Sequence, residues 1–166
     1  MSKEIKDKEI ANKEDEYYMG QALVEARKAY DELEVPIGAV VVLEGEIIGR
    51  GFNRVESLKS PLAHAEIVAI NQASKNIGAW RLLDASIYVT LEPCAMCAGA
   101  IVNSRIRRVV IGAMDTKRGC AGSTMDVFSN SDLNHKVIKA TGVLEDESRD
   151  LIQSFFKKLR EKKKNI

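Results

Sequence analysis

Apolar residues recur along this chain with two different periods, and these periods divide it into helices and strands. From Asp15 to Leu33 they return every three or four positions, the spacing of one helix face, and Pro36 closes that segment. Runs rich in β-branched residues predict strands at 37–43, 47–52, 86–91, 107–112 and about 136–140. Helical spacing returns at 63–76 and 145–163, and a further helix is expected to begin at Pro93.

The order of these elements predicts an α/β fold. The first two strands are separated only by a turn around Gly45, which is typical of a hairpin. Later strands alternate with helices, as parallel strands joined by right-handed crossovers do. We therefore expect one mixed sheet with helices on both faces. Residues 1–14 are mostly charged and are interpreted as a flexible leader, which leaves 15–166 as a single domain.

Composition narrows the class of protein only slightly. The 166 residues are about one domain in length, with 45% apolar and 30% charged residues. A net charge of +1 gives no overall field for nucleic acid, so any such contact must be local. The chain has no apolar run long enough for a bilayer and no secretory segment, so a cytoplasmic location is predicted. Three cysteines, two of them in C-x-x-C, favour metal binding in a reducing compartment.

Two short motifs carry the candidate chemistry. His64-Ala65-Glu66 and Pro93-Cys94-Ala95-Met96-Cys97 each stand at the start of a predicted helix. Histidine and cysteine are ligands that zinc prefers, and three protein ligands leave the fourth tetrahedral position for water. The pattern H-x-E…P-C-x-x-C is a signature of zinc-dependent nucleobase deaminases. Glu66 is close enough to exchange protons with that water. The predicted zinc ligands are His64, Cys94 and Cys97.

Each of these residues also has a simpler interpretation. A closed structural zinc site would need a fourth ligand, which Cys120 or His135 could supply. Glu66 could be only a first-turn acid favoured by the helix dipole, and Asn53 could merely end the hairpin.

Two further features of the last helix stay open. Its basic C-terminal end is either a solvated helix terminus or a surface that binds a polyanion. Phe155 and Phe156 are adjacent and cannot point the same way, so one of them can face the site or a partner.

Longer strings around the motifs carry a family resemblance. They occupy 36–42, 61–66, 89–101, 104–106, 108–113 and 115–123. From about Glu16 to Phe156 the chain resembles the bacterial tRNA-specific adenosine deaminases, within the zinc-dependent cytidine deaminase-like superfamily. The resemblance implies a three-layer α/β/α sandwich with a mixed five-stranded sheet, and a homodimer. It also implies conversion of adenosine to inosine at the wobble position of a tRNA anticodon. Cys120 stands where the resemblance leads us to expect a small residue, usually alanine.

The resemblance also assigns roles to residues. It implies that His64, Cys94 and Cys97 hold one zinc ion per subunit and that Glu66 accepts and donates protons. Substrate contacts are expected at Asn53, Ala65 and Phe156. An anticodon loop presents unstacked bases, which lowers the cost of moving the target base into a pocket. Two alternatives remain: a deaminase of free nucleobases or nucleotides, and a zinc-stabilised RNA-binding module without catalytic activity.

Overall fold

The computed structural model describes residues 2–165, with side chains described outside residues 3–12. The helices and strands follow one another in the order α1 (Lys3–Asp31), β1 (Gly38–Leu43), β2 (Glu46–Phe52), α2 (Val55–Leu58), α3 (Ala65–Ile77), β3 (Ser86–Leu91), α4 (Ala95–Asn103), β4 (Arg108–Ala113), a 3₁₀ turn (Val127–Ser129), β5 (Ile138–Thr141) and α5 (Glu145–Lys164). Among the described residues, no helix is both long and apolar enough to cross a membrane.

The strands form one mixed sheet in the order β2-β1-β3-β4-β5. β1 runs antiparallel to both of its neighbours, β2 and β3. β3, β4 and β5 are mutually parallel, as the alternation of strands and helices predicts. The expected α/β architecture with a mixed five-stranded sheet is confirmed.

Side chains alternate between the two faces of the sheet and so build two separate cores. Val41, Ile87 and Val109 pack with α3 and α4, in a cluster that includes Ala69 and Ile101. Their neighbours in sequence face the other way and pack with α1, in a cluster that contains Met19, Ala22, Val40, Val42, Tyr88 and Val110. α5 contacts β4 and α1 on this second side. Because successive residues of a strand point to opposite faces, the sheet is covered on both sides, and three layers result.

The first helix is longer than expected at its N-terminus and shorter at its C-terminus. It begins at Lys3 rather than Asp15, because lysine, glutamate and alanine favour helix even without an apolar face. It ends at Asp31, before the predicted stop at Pro36, and Leu33 adopts a φ of 61°. The division into a flexible leader (1–14) and a domain (15–166) stays a prediction. Met1 and Ile166, the outer ends of these ranges, lie outside the described residues.

The segment after β2 contains the short helix α2, which no pattern in the sequence predicted. Its N-terminal N–H groups are satisfied from a distant part of the chain. The buried carboxylate of Glu34 accepts hydrogen bonds from the backbone N–H groups of Glu56 (2.9 Å) and Ser57 (3.1 Å). The Ser57 hydroxyl donates to it as well (3.0 Å). A helix start lacks internal partners for these N–H groups, so a carboxylate there stabilises it.

Arg108 connects the sheet to α1. Its guanidinium donates to both carboxylate oxygens of Asp15, each at 2.7 Å, and the Tyr88 hydroxyl donates to the same carboxylate at 2.8 Å. The hydrogen bond with Asp15 raises the pKa of Arg108 above its ordinary value. Arg108 is therefore an internal ion-pair partner, and its charge holds the helix to the sheet.

Close packing of α3 on β2 places the start of α3. A Cβ atom at Gly49 would collide with the carbonyl group of Ala69, and one at Gly51 with that of Ala65. Glycine at both positions lets the helix lie directly against the strand. The N-terminus of α3 is thereby held at one edge of the sheet, the edge where β3 leads into α4.

Candidate active site

Two helix N-termini meet at this edge, and each contributes to a cluster of metal-ligand side chains. His64 is the N-cap residue of α3, while Cys94 is the N-cap residue of α4 and Cys97 lies in its first turn. Nδ1 of His64 lies 3.6 Å from Sγ of Cys94 and 3.5 Å from Sγ of Cys97. Within the described part of the chain these three residues form a group whose ligand atoms lie within 4.8 Å of one another.

The spacing of the three ligand atoms fits a zinc ion. Zinc binds histidine nitrogen at about 2.0–2.1 Å and cysteine sulfur at about 2.3 Å, which in tetrahedral geometry separates the two ligands by roughly 3.5 Å. The measured N–S distances agree with this value. One imidazole and two thiolates are also a ligand set that suits zinc.

The two residues considered as a fourth ligand have other partners. Sγ of Cys120 lies 3.6 Å from the carbonyl oxygen of Arg118 and 3.6 Å from Oγ1 of Thr124. Nε2 of His135 lies 2.7 Å from the carbonyl oxygen of Ile106. Neither residue belongs to the cluster formed by His64 and the C-x-x-C cysteines among the described residues. The cluster therefore resembles a three-ligand catalytic site more than a closed structural one.

The two cysteine thiols of the cluster have pKa values shifted in opposite directions. Hydrogen bonds from Cys97 and His64 lower the pKa of the Cys94 thiol to about 3. The hydrogen bond with Cys94, together with burial, raises the pKa of the Cys97 thiol. A helix N-terminus also favours the thiolate form, which is the form that binds metal. The surroundings of Cys94 thus favour its thiolate form.

Glu66 lies in the first turn of α3 and has only 4% of its surface exposed. Burial raises the pKa of its carboxyl group above the usual value, and hydrogen bonding to the backbone and the charge of His64 only partly offset this effect. A carboxyl group whose pKa moves toward neutrality can both accept and return a proton, as an acid–base catalyst must.

A single cleft of about 910 Å³ brings the predicted site residues together. Its lining includes Asn53, His64, Ala65, Glu66, Cys94 and Phe156. Cys97 is fully buried and completes the metal cluster. The structure therefore places every candidate site residue in or directly beside the cleft.

Asn53 ends β2 at the wall of the cleft. Its side-chain amide donates to the carbonyl oxygen of Val35, and its carbonyl group accepts from the backbone N–H of Val55, both at 3.3 Å. These bonds occupy one donor and one acceptor site of the amide. One N–H and one lone pair remain, so the structural role of Asn53 leaves it able to contact a base.

The two adjacent phenylalanines both line the cleft and contact each other edge-to-face, with ring centroids 5.5 Å apart, but they differ in exposure. Phe155 is buried and packs edge-to-face against Tyr30, with ring centroids 5.7 Å apart. Phe156 is 41% exposed and lines the cleft. An exposed aromatic ring at the mouth of a cleft can stack on a base, whereas its neighbour stabilises the contact between α5 and α1.

Sequence reasoning missed two buried carboxylates that support the walls of the cleft. Glu34 caps α2 beside Asn53, and Glu92 accepts hydrogen bonds from the loop that follows β4. Both line the cleft, and both are less than 4% exposed. For Glu92 the sequence did contain a signal, because this acidic residue stands between an apolar strand and Pro93. An acid that is buried in such a place needs hydrogen-bond partners.

A groove on the outer side of α5 continues from the cleft. Its lining includes Lys117, Phe156, Lys157 and Arg160. Lys117 and Phe156 also line the cleft, so the two depressions are contiguous. The net charge of the whole chain is near zero, but the lining of this groove contains three cations, Lys117, Lys157 and Arg160, and one carboxylate, Asp150.

Comparisons with known proteins agree with this geometry. The MafB19-like deaminase family matches residues 13–160. The tRNA-specific adenosine deaminase of Bacillus subtilis is 50% identical over 151 residues, which are 91% of this chain and 94% of that protein. That of Aquifex aeolicus is 46% identical over 145 residues, or 87% of this chain and 95% of that protein.

Solved structures give the same result for the fold. A structure from work on A-to-I editing by tRNA deaminases at the wobble position of transfer RNA is 47% identical. It superposes with a TM-score of 0.79 and covers 81% of this chain and 98% of its own. A guanine deaminase from Nitrosomonas europaea has a TM-score of 0.72 at 25% identity, with 84% of this chain and 83% of its own covered. The chain belongs to the MafB19-like deaminases and, within them, to the family of tRNA-specific adenosine deaminases.

Proposed function

We propose that this protein uses zinc to convert adenosine to inosine, by hydrolysis, at the wobble position of a tRNA anticodon. The observation that carries the proposal is the three-ligand cluster with Glu66 beside it in an open cleft. The chain that contains this cluster is 50% identical to a tRNA-specific adenosine deaminase over nearly its whole length.

His64, Cys94 and Cys97 would hold the metal. Zinc held there would lower the pKa of a coordinated water to about 7 and so supply a nucleophile at neutral pH. Glu66 would accept one proton from the attacking water and deliver it to N1 of adenine, as C6 takes up the water oxygen. Glu66 then transfers the second proton to the amino group, the C6–N bond breaks, and ammonia leaves. The sum of these steps is adenosine plus water giving inosine plus ammonia.

Three residues of the cleft wall would hold the target base. The free N–H and lone pair of the Asn53 amide can pair with polar atoms on the edge of adenine. Ala65, between His64 and Glu66, is buried in the lining of the cleft and would limit the space beside the base. The exposed ring of Phe156 can stack on the target base or on its neighbour.

The basic groove favours RNA over a free nucleobase as the substrate. Lys117, Lys157 and Arg160 lie along a depression that continues from the cleft. A free nucleobase has no phosphates for these cations to bind, whereas an anticodon loop has a phosphate on each side of its target base. The salt dependence of binding should therefore be strong, although the net charge of the chain is only +1.

The first test is incubation of the zinc-loaded protein with total bacterial tRNA. We expect inosine in the tRNA by mass spectrometry, confined by nuclease mapping to the first anticodon position. Parallel reactions with free adenosine, guanine and cytidine should show little or no ammonia release. Absence of inosine with zinc present would reject the proposal. Release of ammonia from guanine would favour the alternative substrate class, since guanine deaminases share this fold.

We also propose that the protein is a homodimer that uses the outer face of α4. This face is partly exposed, although α4 is almost entirely apolar. It is formed by Ala95, Met96, Gly99 and Ala100. A helix that is apolar all round is normally buried on all sides. A second copy of the chain would cover the face, in agreement with the homodimer that the family resemblance implies.

Light scattering should give twice the chain mass of 18.4 kDa. Gly99→Arg should give the monomer mass, because a side chain at Gly99 meets no atom of its own chain and would project into the interface. Gly20→Arg is the matched control: it also lies in a helix with open space around its Cβ position, and it should stay dimeric. A wild-type monomer would reject the dimer. A dimeric Gly99→Arg variant would reject this face.

A further inference from the structure

Glu92 is a buried carboxylate in the cleft wall that the proposed chemistry does not use. It follows β3 directly and precedes Pro93 and the metal ligand Cys94. Only 3% of its surface is exposed, yet it has no lysine or arginine partner among the described ion pairs. A buried charge without a counter-ion needs full hydrogen bonding to be stable.

The loop between β4 and the 3₁₀ turn supplies those hydrogen bonds. One carboxylate oxygen of Glu92 accepts from the backbone N–H groups of Ala121 and Ser123, both at 3.0 Å. The other oxygen accepts from the N–H of Asp115 at 2.8 Å and from the Ser123 hydroxyl at 2.6 Å. These four donors satisfy both carboxylate oxygens, so the buried group needs no cationic partner.

Asp115 extends this support to the tip of the loop. Its own carboxylate accepts hydrogen bonds from the backbone N–H groups of Lys117 (3.1 Å) and Arg118 (3.2 Å). Lys117 and Arg118 line the cleft, and Lys117 also lines the basic groove. Glu92 therefore binds the backbone of Asp115, and Asp115 in turn binds the backbone of Lys117 and Arg118. Through these hydrogen bonds the end of β3 is connected to the cations at the mouth of the cleft.

The loop leaves no space for a different arrangement around Glu92. A Cβ atom at Gly119 would collide with the carboxylate group of Glu92. The N–H of Cys120 donates to the carbonyl oxygen of Pro93 at 2.8 Å, so the backbone of the loop is also bound beside the start of α4. The position of the loop is thus determined by contacts with residues 92 and 93.

We propose that Glu92 is a positioning residue for RNA binding: it holds loop 115–123 so that Lys117 and Arg118 face the phosphates beside the target base. This inference rests on the proposed function, because it assumes an RNA substrate. Glu92 contacts neither the base nor the metal in this account. Its loss should weaken RNA binding much more than it slows the chemical step.

Glu92→Gln tests the inference with little change in shape. The amide replaces one acceptor oxygen with a donor that faces N–H groups, so at least one pair of hydrogen bonds is lost. With a synthetic anticodon stem-loop as substrate we expect KM to rise roughly 10- to 100-fold. We expect kcat to stay within about threefold and zinc content to remain one ion per chain, since the ligands and Glu66 lie on α3 and α4.

Gly119→Ala tests the same contact without removing the charge. Its methyl group would displace the Glu92 carboxylate, so we expect a similar rise in KM with kcat retained. Gly20→Ala is the matched control, because a Cβ atom there meets nothing within 4 Å. Its kinetics should equal those of the wild type.

Limited trypsin digestion gives a readout that does not depend on activity. Lys117 and Arg118 are themselves trypsin sites, and release of the loop should increase cleavage there in Glu92→Gln and Gly119→Ala but not in Gly20→Ala.

Failure of the wild type to form inosine would reject the proposed function, and the digestion would still test the role of Glu92 in holding the loop. An active wild type with unchanged KM in Glu92→Gln would overturn the inference, and so would a loss of kcat or zinc without a change in KM.

Discussion

Glu66→Gln is expected to lower kcat for inosine formation by about 10²- to 10⁴-fold while the protein keeps its zinc. Glutamine has nearly the same size, but it cannot take a proton from water and return it to the base. Glu66 is almost completely buried beside the metal cluster, so no bulk buffer can easily replace it. Single-turnover deamination of an anticodon stem-loop, together with the zinc content, measures the effect.

Glu147→Gln provides the control for this variant. Glu147 is an exposed acid in the first turn of α5, just as Glu66 is an acid in the first turn of α3. If Glu66 served only to complement a helix dipole, each substitution would cost about 0.3–1 kcal/mol of stability and leave activity intact. We expect normal turnover for Glu147→Gln. Normal turnover for Glu66→Gln would reject its assignment as the acid–base residue.

Cys94→Ala is expected to abolish both zinc binding and activity. Cys94 is one of three candidate ligands, and alanine has no atom that can replace its sulfur, so only two ligands would remain. Metal binding also contributes to folding, and the melting temperature should therefore fall. Metal analysis after dialysis, thermal unfolding and the tRNA assay together measure these changes.

Cys120→Ala is the matched control, since it removes another thiol from the same part of the chain. Its sulfur lies near Arg118 and Thr124 and not with His64, so zinc content and turnover should be retained. Loss of zinc in Cys120→Ala would instead indicate a fourth protein ligand. That result would favour the alternative of a non-enzymatic, zinc-stabilised RNA-binding module.

The sequence alone was sufficient for the metal site and for most of the sheet. Ligand chemistry depends on residue type, and both motifs are short enough for local helix geometry to bring their members together. The strands were predicted because β-branched runs need no distant partner to be recognised. A helix was predicted over 145–163 from local spacing, and the observed helix ends one residue later, at Lys164.

Local patterns were less informative where a segment depends on a distant partner. α2 is too short to give a recognisable apolar pattern. Its first N–H groups, those of Glu56 and Ser57, donate to Glu34, which lies 22 and 23 positions earlier in the chain. The pairing of Arg108 could not be predicted from sequence, because its partner, Asp15, is separated from it by 93 positions. Nothing near either residue in sequence indicates such a pairing.

The sequence by itself therefore determined the family and the candidate ligands and acid–base residue, since each depends on residue types at a short, regular spacing. Only the tertiary structure decided which side chains surround the cleft. Glu92 holds a loop that begins after another strand, and Lys117 meets Phe156 only because that loop and α5 come together. These contacts form only when the sheet brings distant segments to one edge. The partners of a buried carboxylate cannot be predicted from the residues next to it in sequence.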